Sequence, residues 1–121
     1  MGDISKSFSR FEFECKCRCG FNTVDVELLK VLQEDIRNHY NKKVTITSGC
    51  RCFMSNMHIL GAAKDSYHVK AQAADFKVDG VDNADLYRYL HTKFRGKYGI
   101  GLYSTHVHID VRNTEARWKK V

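Results

Sequence analysis

The segment "YGIGLYSTHVHIDVR", residues 98–112, decides how this chain is put together. Its two halves, 98–103 and 106–112, are rich in β-branched and aromatic residues, and only Ser104 and Thr105 separate them. They read as adjacent antiparallel strands. Side chains alternate along a strand, so His106, His108, Asp110 and Arg112 share one face of the second half. Val107, Ile109 and Val111 share the other and feed a core. Packing explains the apolar face. The polar face is either an ordinary solvated surface or a site.

Working outward, "NADLYRYLHTKF" (83–94) places Leu86, Tyr89, Leu90 and Phe94 inward at helical spacing. "DGVDN" (79–83) turns the chain into that helix. Before it, "AADFKV" (73–78) reads as a strand, with Ala73 and Asp75 on one side and Ala74 and Phe76 on the other. "KKVTITSG" (42–49) alternates and is β-branched, so it predicts a strand ending at Gly49. "DVELLKVLQEDIRNHY" (25–40) predicts an amphipathic helix with Leu28, Leu29, Leu32, Ile36 and Tyr40 inward, capped by Thr23 or Asp25. Residues 54–60 read as a short helix and "GAAKDS" (61–66) as a loop. "FSRFEFE" (8–14) reads as a short edge segment. The order of elements predicts one α+β domain over residues 1–121, with helices packed on one side of a small antiparallel sheet.

At 121 residues the chain has room for one modest core. Its 43% hydrophobic and 28% charged content is that of a globular domain, without an apolar run of membrane-spanning length. The start "MGDISKSFSR" lacks the apolar stretch of a secretory signal. The expectation is a chain made in the cytoplasm, acting there or leaving by a route that needs no signal. The formal charge is +6, spread along the chain apart from "NKK" (41–43) and "RWKK" (117–120). A basic surface favours polyanionic partners, but no nucleic-acid motif is present and no nucleic acid is expected.

The five cysteines, Cys15, Cys17, Cys19, Cys50 and Cys52, are odd in number and cannot all pair within one chain. Without a secretory signal, reduced thiols are the default. If extended, "CKCRC" (15–19) puts three thiols on one face, and a structural zinc site with "CRC" (50–52) is one reading. The spacing is not the CxxC of zinc ribbons, and small buried hydrophobes are the other reading.

"SYHVKAQAAD" (66–75) adds His68, in a loop, and Asp75, on the strand that follows. Small Ala73 leaves space beside Asp75. Two imidazoles and one carboxylate drawn from separate segments suit a zinc ion with one open position. A structural site fills all four places, whereas a catalytic one keeps a water whose pKa falls toward neutrality.

"SGCRC" (48–52), Asn56, "GAAKDSYHVKAQAAD" (61–75), "GIGLY" (99–103) and "HVHIDVR" together resemble the zinc D-Ala-D-Ala carboxypeptidase family, peptidase M15, and its small phage-endolysin-like members. The family pattern of Ser-x-His-x-x-Gly-x-Ala-x-Asp followed by His-x-Asp is met by Ser66, His68, Ala73, Asp75, His108 and Asp110. The likeness runs from roughly residue 8 to Trp118. It implies a fold shared with the hedgehog signalling domain, a single zinc ion held by His68, Asp75 and His108, and hydrolysis of peptidoglycan peptides. It further implies that Arg51 binds a substrate carboxylate or the oxyanion, that Ser66 orients the His68 loop or contacts substrate, and that Asp110 fixes a ligand histidine or Arg51.

Two positions depart from the pattern. Ala71 stands where the family has glycine, at a cost if that position needs positive φ. Thr105 stands where many relatives carry an acidic general base; His106, two residues from His108 on the same face, is the best substitute, and the other reading is that it only packs at the strand start. The resulting expectation is a monomeric zinc peptidase, acting at the bacterial wall after holin-type release or as a virion component. The rival readings are a zinc-containing module that binds wall peptide without cleaving it, and a function carried by the cysteines as a metal or redox element.

Overall fold

A computed structural model describes residues 2–15, 24–49, 67–68 and 71–120. Helix α1 begins at Val26, where the Asp25 carboxylate accepts hydrogen bonds from the amides of Glu27 (2.9 Å) and Leu28 (3.3 Å). Those amides have no partner inside the helix, which is why a carboxylate there stabilises it. The helix runs through three consecutive segments: Val26–Lys30 in α geometry, Val31–Arg37 wound as a π-helix, and Asn38–Tyr40 in α geometry again. Asn41, at φ 52°, ends it in the left-handed conformation that asparagine tolerates. Leu28, Leu32 and Ile36 are fully buried, and Leu29 and Tyr40 pack against them in part. Gln33, in the π segment, is buried with its amide fully used. It accepts from Ser5 Oγ and Ser7 N and donates to Ser7 Oγ and Asn38 Oδ1, which ties the N-terminal residues to the helix.

Among the described residues five strands form one sheet in the order β1-β2-β4-β3-β5. They are β1 (Val44–Ser48), β2 (Ala73–Val78), β3 (Gly99–Tyr103), β4 (Val107–Asp110) and β5 (Ala116–Lys120). Helix α2 (Asn83–Lys93), capped by Asp82, connects β2 to β3. The first four strands pair antiparallel as the alternation predicts. β5 corrects the all-antiparallel expectation: it runs parallel to β3, so the sheet is mixed. "ARWKK" carries no alternation of apolar and polar residues and reads as a basic cluster. A strand at the sheet's edge, largely solvated, needs none.

Residues 8–14 also differ from expectation. Arg10–Phe13 is a 3-10 turn rather than an edge segment, with the Glu12 carboxylate accepting from Ser9 N at 2.6 Å. Phe8 and Phe13 are both buried while Phe11 is 72% exposed. Two inward aromatics five positions apart fit a turn, not the period of a strand.

One core joins both helices to one face of the sheet. It includes Leu28, Leu32, Ile36, Ala74, Phe76, Leu86, Leu90, Ile100, Val107 and Ile109. Each large side chain contributes about 1.5–3 kcal/mol on burial. The opposite face of β2 and β4 carries Ala73, Asp75, His108 and Asp110. Two rungs cross the sheet there: Asp75, His108, Gly101 and Trp118, and beside them Ala73, Asp110, Gly99 and Ala116. The reading of residues 54–60 and 61–66 lies outside the described residues.

Candidate metal centre

His68 reaches the sheet through a turn. Ala71 N donates to His68 O (3.1 Å) and Gln72 N to Tyr67 O (2.9 Å), which doubles the chain back into β2. Ala71 closes the turn at φ 59°, the positive value for which the family pattern has glycine. The turn brings His68 over Asp75, and the β2–β4 register sets His108 directly opposite Asp75. Nitrogens of His68 and His108 and an oxygen of Asp75 all lie within 4.8 Å of one another, a group able to hold a metal ion.

The hydrogen bonds fix which atoms face inward. His68 Nδ1 lies 2.6 Å from the Gly49 carbonyl oxygen, which only accepts, so Nδ1 carries the proton. His108 Nε2 lies 2.7 Å from Asp110 Oδ2 and likewise donates. The atoms left to face Asp75 Oδ1 are His68 Nε2 at 3.2 Å and His108 Nδ1 at 2.9 Å. In neutral imidazoles both carry lone pairs. Three lone-pair atoms pointed at one spot repel unless a cation sits among them. Ring nitrogens held from behind by a carbonyl and a carboxylate are the usual companions of metal-binding histidines.

The same contacts shift the acidities. When no cation sits among them, the two imidazoles hold protons toward Asp75 instead: burial pushes its carboxyl up, but hydrogen bonds from His108 and His68 outweigh that and hold it well below the usual carboxylate range. Burial pushes His108 down, and its bonds to Asp110 and Asp75 carry it above its ordinary value. Asp110, raised by burial, is held well below the usual range by His108 and Arg112. Both carboxylates stay ionised next to the imidazole nitrogens.

His106 stands at the rim. Its Nε2 is 3.7 Å from Asp75 Oδ2, its Nδ1 is 2.9 Å from Thr105 Oγ1, and its ring stacks on Tyr103 at 4.5 Å between centroids. Burial, helped by His108 and His68 and opposed by Asp75, pulls its pKa below the ordinary imidazole value. Asp110 is wholly buried behind His108. Arg51 and Ser66, with Cys17, Cys19, Cys50, Cys52 and Asn56, lie outside the described residues. Cys15 is buried.

Arg112 and Trp118 belong to the site although sequence reasoning assigned them no part. Arg112 forks onto Asp110 through Nε (2.7 Å) and a terminal nitrogen (2.8 Å). The Trp118 ring lies 5.2 Å from the His108 ring. The signal for Arg112 was present, since it shares the period-two face with His108 and Asp110. None pointed to Trp118, because its strand was not legible.

The chain matches the peptidase M15 family over residues 6–110. Peptidoglycan L,D-endopeptidase MepK of Escherichia coli (strain K12) is 36% identical over 75 residues, which cover 57% of this chain and 40% of that protein. The MepK proteins of Escherichia coli O157:H7 and Shigella flexneri match to the same extent. The chain thus spans less than half the length of these relatives. No solved structure matches. Among the described residues no helix is long and apolar enough to cross a membrane. The family match takes in His68, Asp75, His108 and Asp110, the residues gathered on the polar face of β2 and β4, and the chain belongs to the peptidase M15 family.

Proposed function

We propose that this chain is a zinc-dependent peptidase that hydrolyses peptide bonds of bacterial peptidoglycan. The observation that carries the reading is the inward convergence of His68 Nε2, His108 Nδ1 and Asp75 Oδ1, with each imidazole held from behind. Nitrogen and carboxylate ligands in this number suit zinc with a place left for water or substrate. When bound, zinc supplies Lewis acidity, polarising the scissile carbonyl and making water acidic near neutral pH.

The remaining roles fall to the chain's own groups. His68, Asp75 and His108 hold the ion. His106, pulled toward its neutral form by burial and standing beside Asp75, accepts the proton of the attacking water and returns it to the leaving amine. In the tautomer whose Nδ1 donates to Thr105 Oγ1, Nε2 is the basic atom. Asp110 orients His108. Arg51, by likeness to the family, binds the substrate carboxylate or the oxyanion. The basic surface favours approach to an anionic wall.

The test is digestion of purified peptidoglycan with and without chelator, with fragments identified by mass. Fragments that vanish with chelator and return with zinc support the peptidase, and their masses name the bond: D-Ala-D-Ala, a cross-bridge, or the L,D bond in the MepK name. Stoichiometric zinc without fragments supports the wall-binding module instead.

A further inference from the structure

We propose that Arg112 is a positioning residue for the metal centre, locking the Asp110 carboxylate so that His108 presents Nδ1, not Nε2, toward Asp75. The inference rests on the metal-centre reading of His68, Asp75 and His108.

The Asp110 side chain has no exposed surface. A buried charge is tolerated only when paired and hydrogen-bonded on every side. Its Oδ1 accepts from Arg112 Nε (2.7 Å), Gly99 N (3.1 Å) and Arg112 N (3.3 Å). Its Oδ2 accepts from an Arg112 terminal nitrogen (2.8 Å) and from His108 Nε2 (2.7 Å). A histidine that ligates a metal is neutral, so among the described residues Arg112 is then the cation that pairs with Asp110. The fork also fixes the plane of the carboxylate. A rotating carboxylate would let the imidazole turn, and Nδ1 would lose its aim.

Arg112 also meets two aromatic rings. Its guanidinium carbon lies 4.5 Å from the Tyr67 ring centroid and 5.4 Å from that of Trp118. Planar guanidinium stacks on aromatic faces, and an ammonium does not. Tyr67 precedes His68 in its turn, and Trp118 sits on β5 against the His108 ring. One side chain therefore ties the His68 turn, the end of β4 and the edge strand around a single carboxylate. Strand β3 makes room for this. A Cβ at Gly99 would collide with the Asp110 carboxylate and Arg112 Nε, and one at Gly101 with the Trp118 indole.

The test compares wild type, R112M, R112K, D110N and R112M/D110N in the full chain. Zinc affinity is read by competition with a chromophoric chelator. The ligating nitrogen of His108 is read by long-range proton–nitrogen correlation in the zinc-loaded protein, which a merely structural role would not move. Loss of such a supporting partner costs about 10–100-fold in metal affinity, the fall expected for R112M. R112K keeps the charge but not the fork and recovers only part of it. R112M/D110N is no weaker than the worse single variant, because both act through one carboxylate. Wild-type affinity and unchanged His108 ligation in R112M would overturn the proposal, as would simple addition of the two single effects. If R112M does not fold, R112K and D110N carry the same comparison. Wild type that takes up no zinc sinks the metal-centre reading itself, a distinct result.

Discussion

On the core side of β4, Val107 and Ile109 have no exposed surface and share a cluster with Phe76, Leu86 and Leu90. On the opposite side, His108 and Asp110 are 8% and 0% exposed, nearly as deep. The depth is similar and the physics is opposite. Burying the apolar side is favourable in itself. Burying the polar side costs free energy unless each group meets a partner. There the partners run in series: Gly49 to His68, His68 and His108 to Asp75, His108 to Asp110, and Asp110 to Arg112. A fold seeking only stability would put apolar residues in these places, so the comparison marks the polar side as the candidate site.

The largest expected effect tests that contrast directly. Asp75→Asn keeps the shape but removes the charge between two imidazoles. Hydrolysis of peptidoglycan should fall by more than the roughly 10–100-fold that loss of an outer partner costs, and stoichiometric zinc uptake should be lost, both measured on folded protein. Wild-type zinc binding in this variant would break the comparison. On the core side, Ile109→Ala should lower unfolding free energy by about 2–5 kcal/mol in denaturant titration. The fraction that remains folded should still bind one zinc. If zinc binding were lost with stability intact, the two faces would not be separable.

Much of this contrast was legible in the sequence, for a physical reason. Alternation in "HVHIDVR" and "AADFKV" follows from one face being packed and the other not, so pattern alone separates Ile109 from His108. Helix α1 and helix α2 were legible because their apolar stripes face a core. The π winding of Val31–Arg37 was not, since hydrogen-bond register leaves little trace in composition. β5 was hidden because an edge strand has little apolar periodicity to show. Arg112 was visible on the correct face, but its role depends on Trp118 arriving from that hidden strand.

A smaller effect probes a polar group set within the core side. Tyr98 is buried at φ 67°, and its hydroxyl donates to Glu27 Oε2 at 2.7 Å. Burial, then the bond to Glu27, push the phenol well above its ordinary value. A raised folded pKa means the stabilisation is complete below the unfolded value of about pH 10 and is lost as pH rises through the folded value. Tyr98→Phe should cost about 1 kcal/mol at neutral pH. It should also flatten the alkaline decline in melting temperature, and an unchanged decline would assign that slope to other groups. The smallest effect is a gain. Ala71→Gly, at φ 59°, should raise unfolding free energy by about 0.5–1 kcal/mol and leave zinc affinity within error. A loss of stability would show that the Ala71 methyl packs well enough to offset its strain.

The ladder between β2 and β4 pairs Asp75 with His108 and Phe76 with Val107. Were the strands to slip by a single residue, Ala74 or Phe76 would face His108, and the carboxylate would stand across from an apolar neighbour. No half-built version of the centre is reachable by misalignment. The mistake that scrambles the ligands also spoils the packing, so folding proofreads the chemistry.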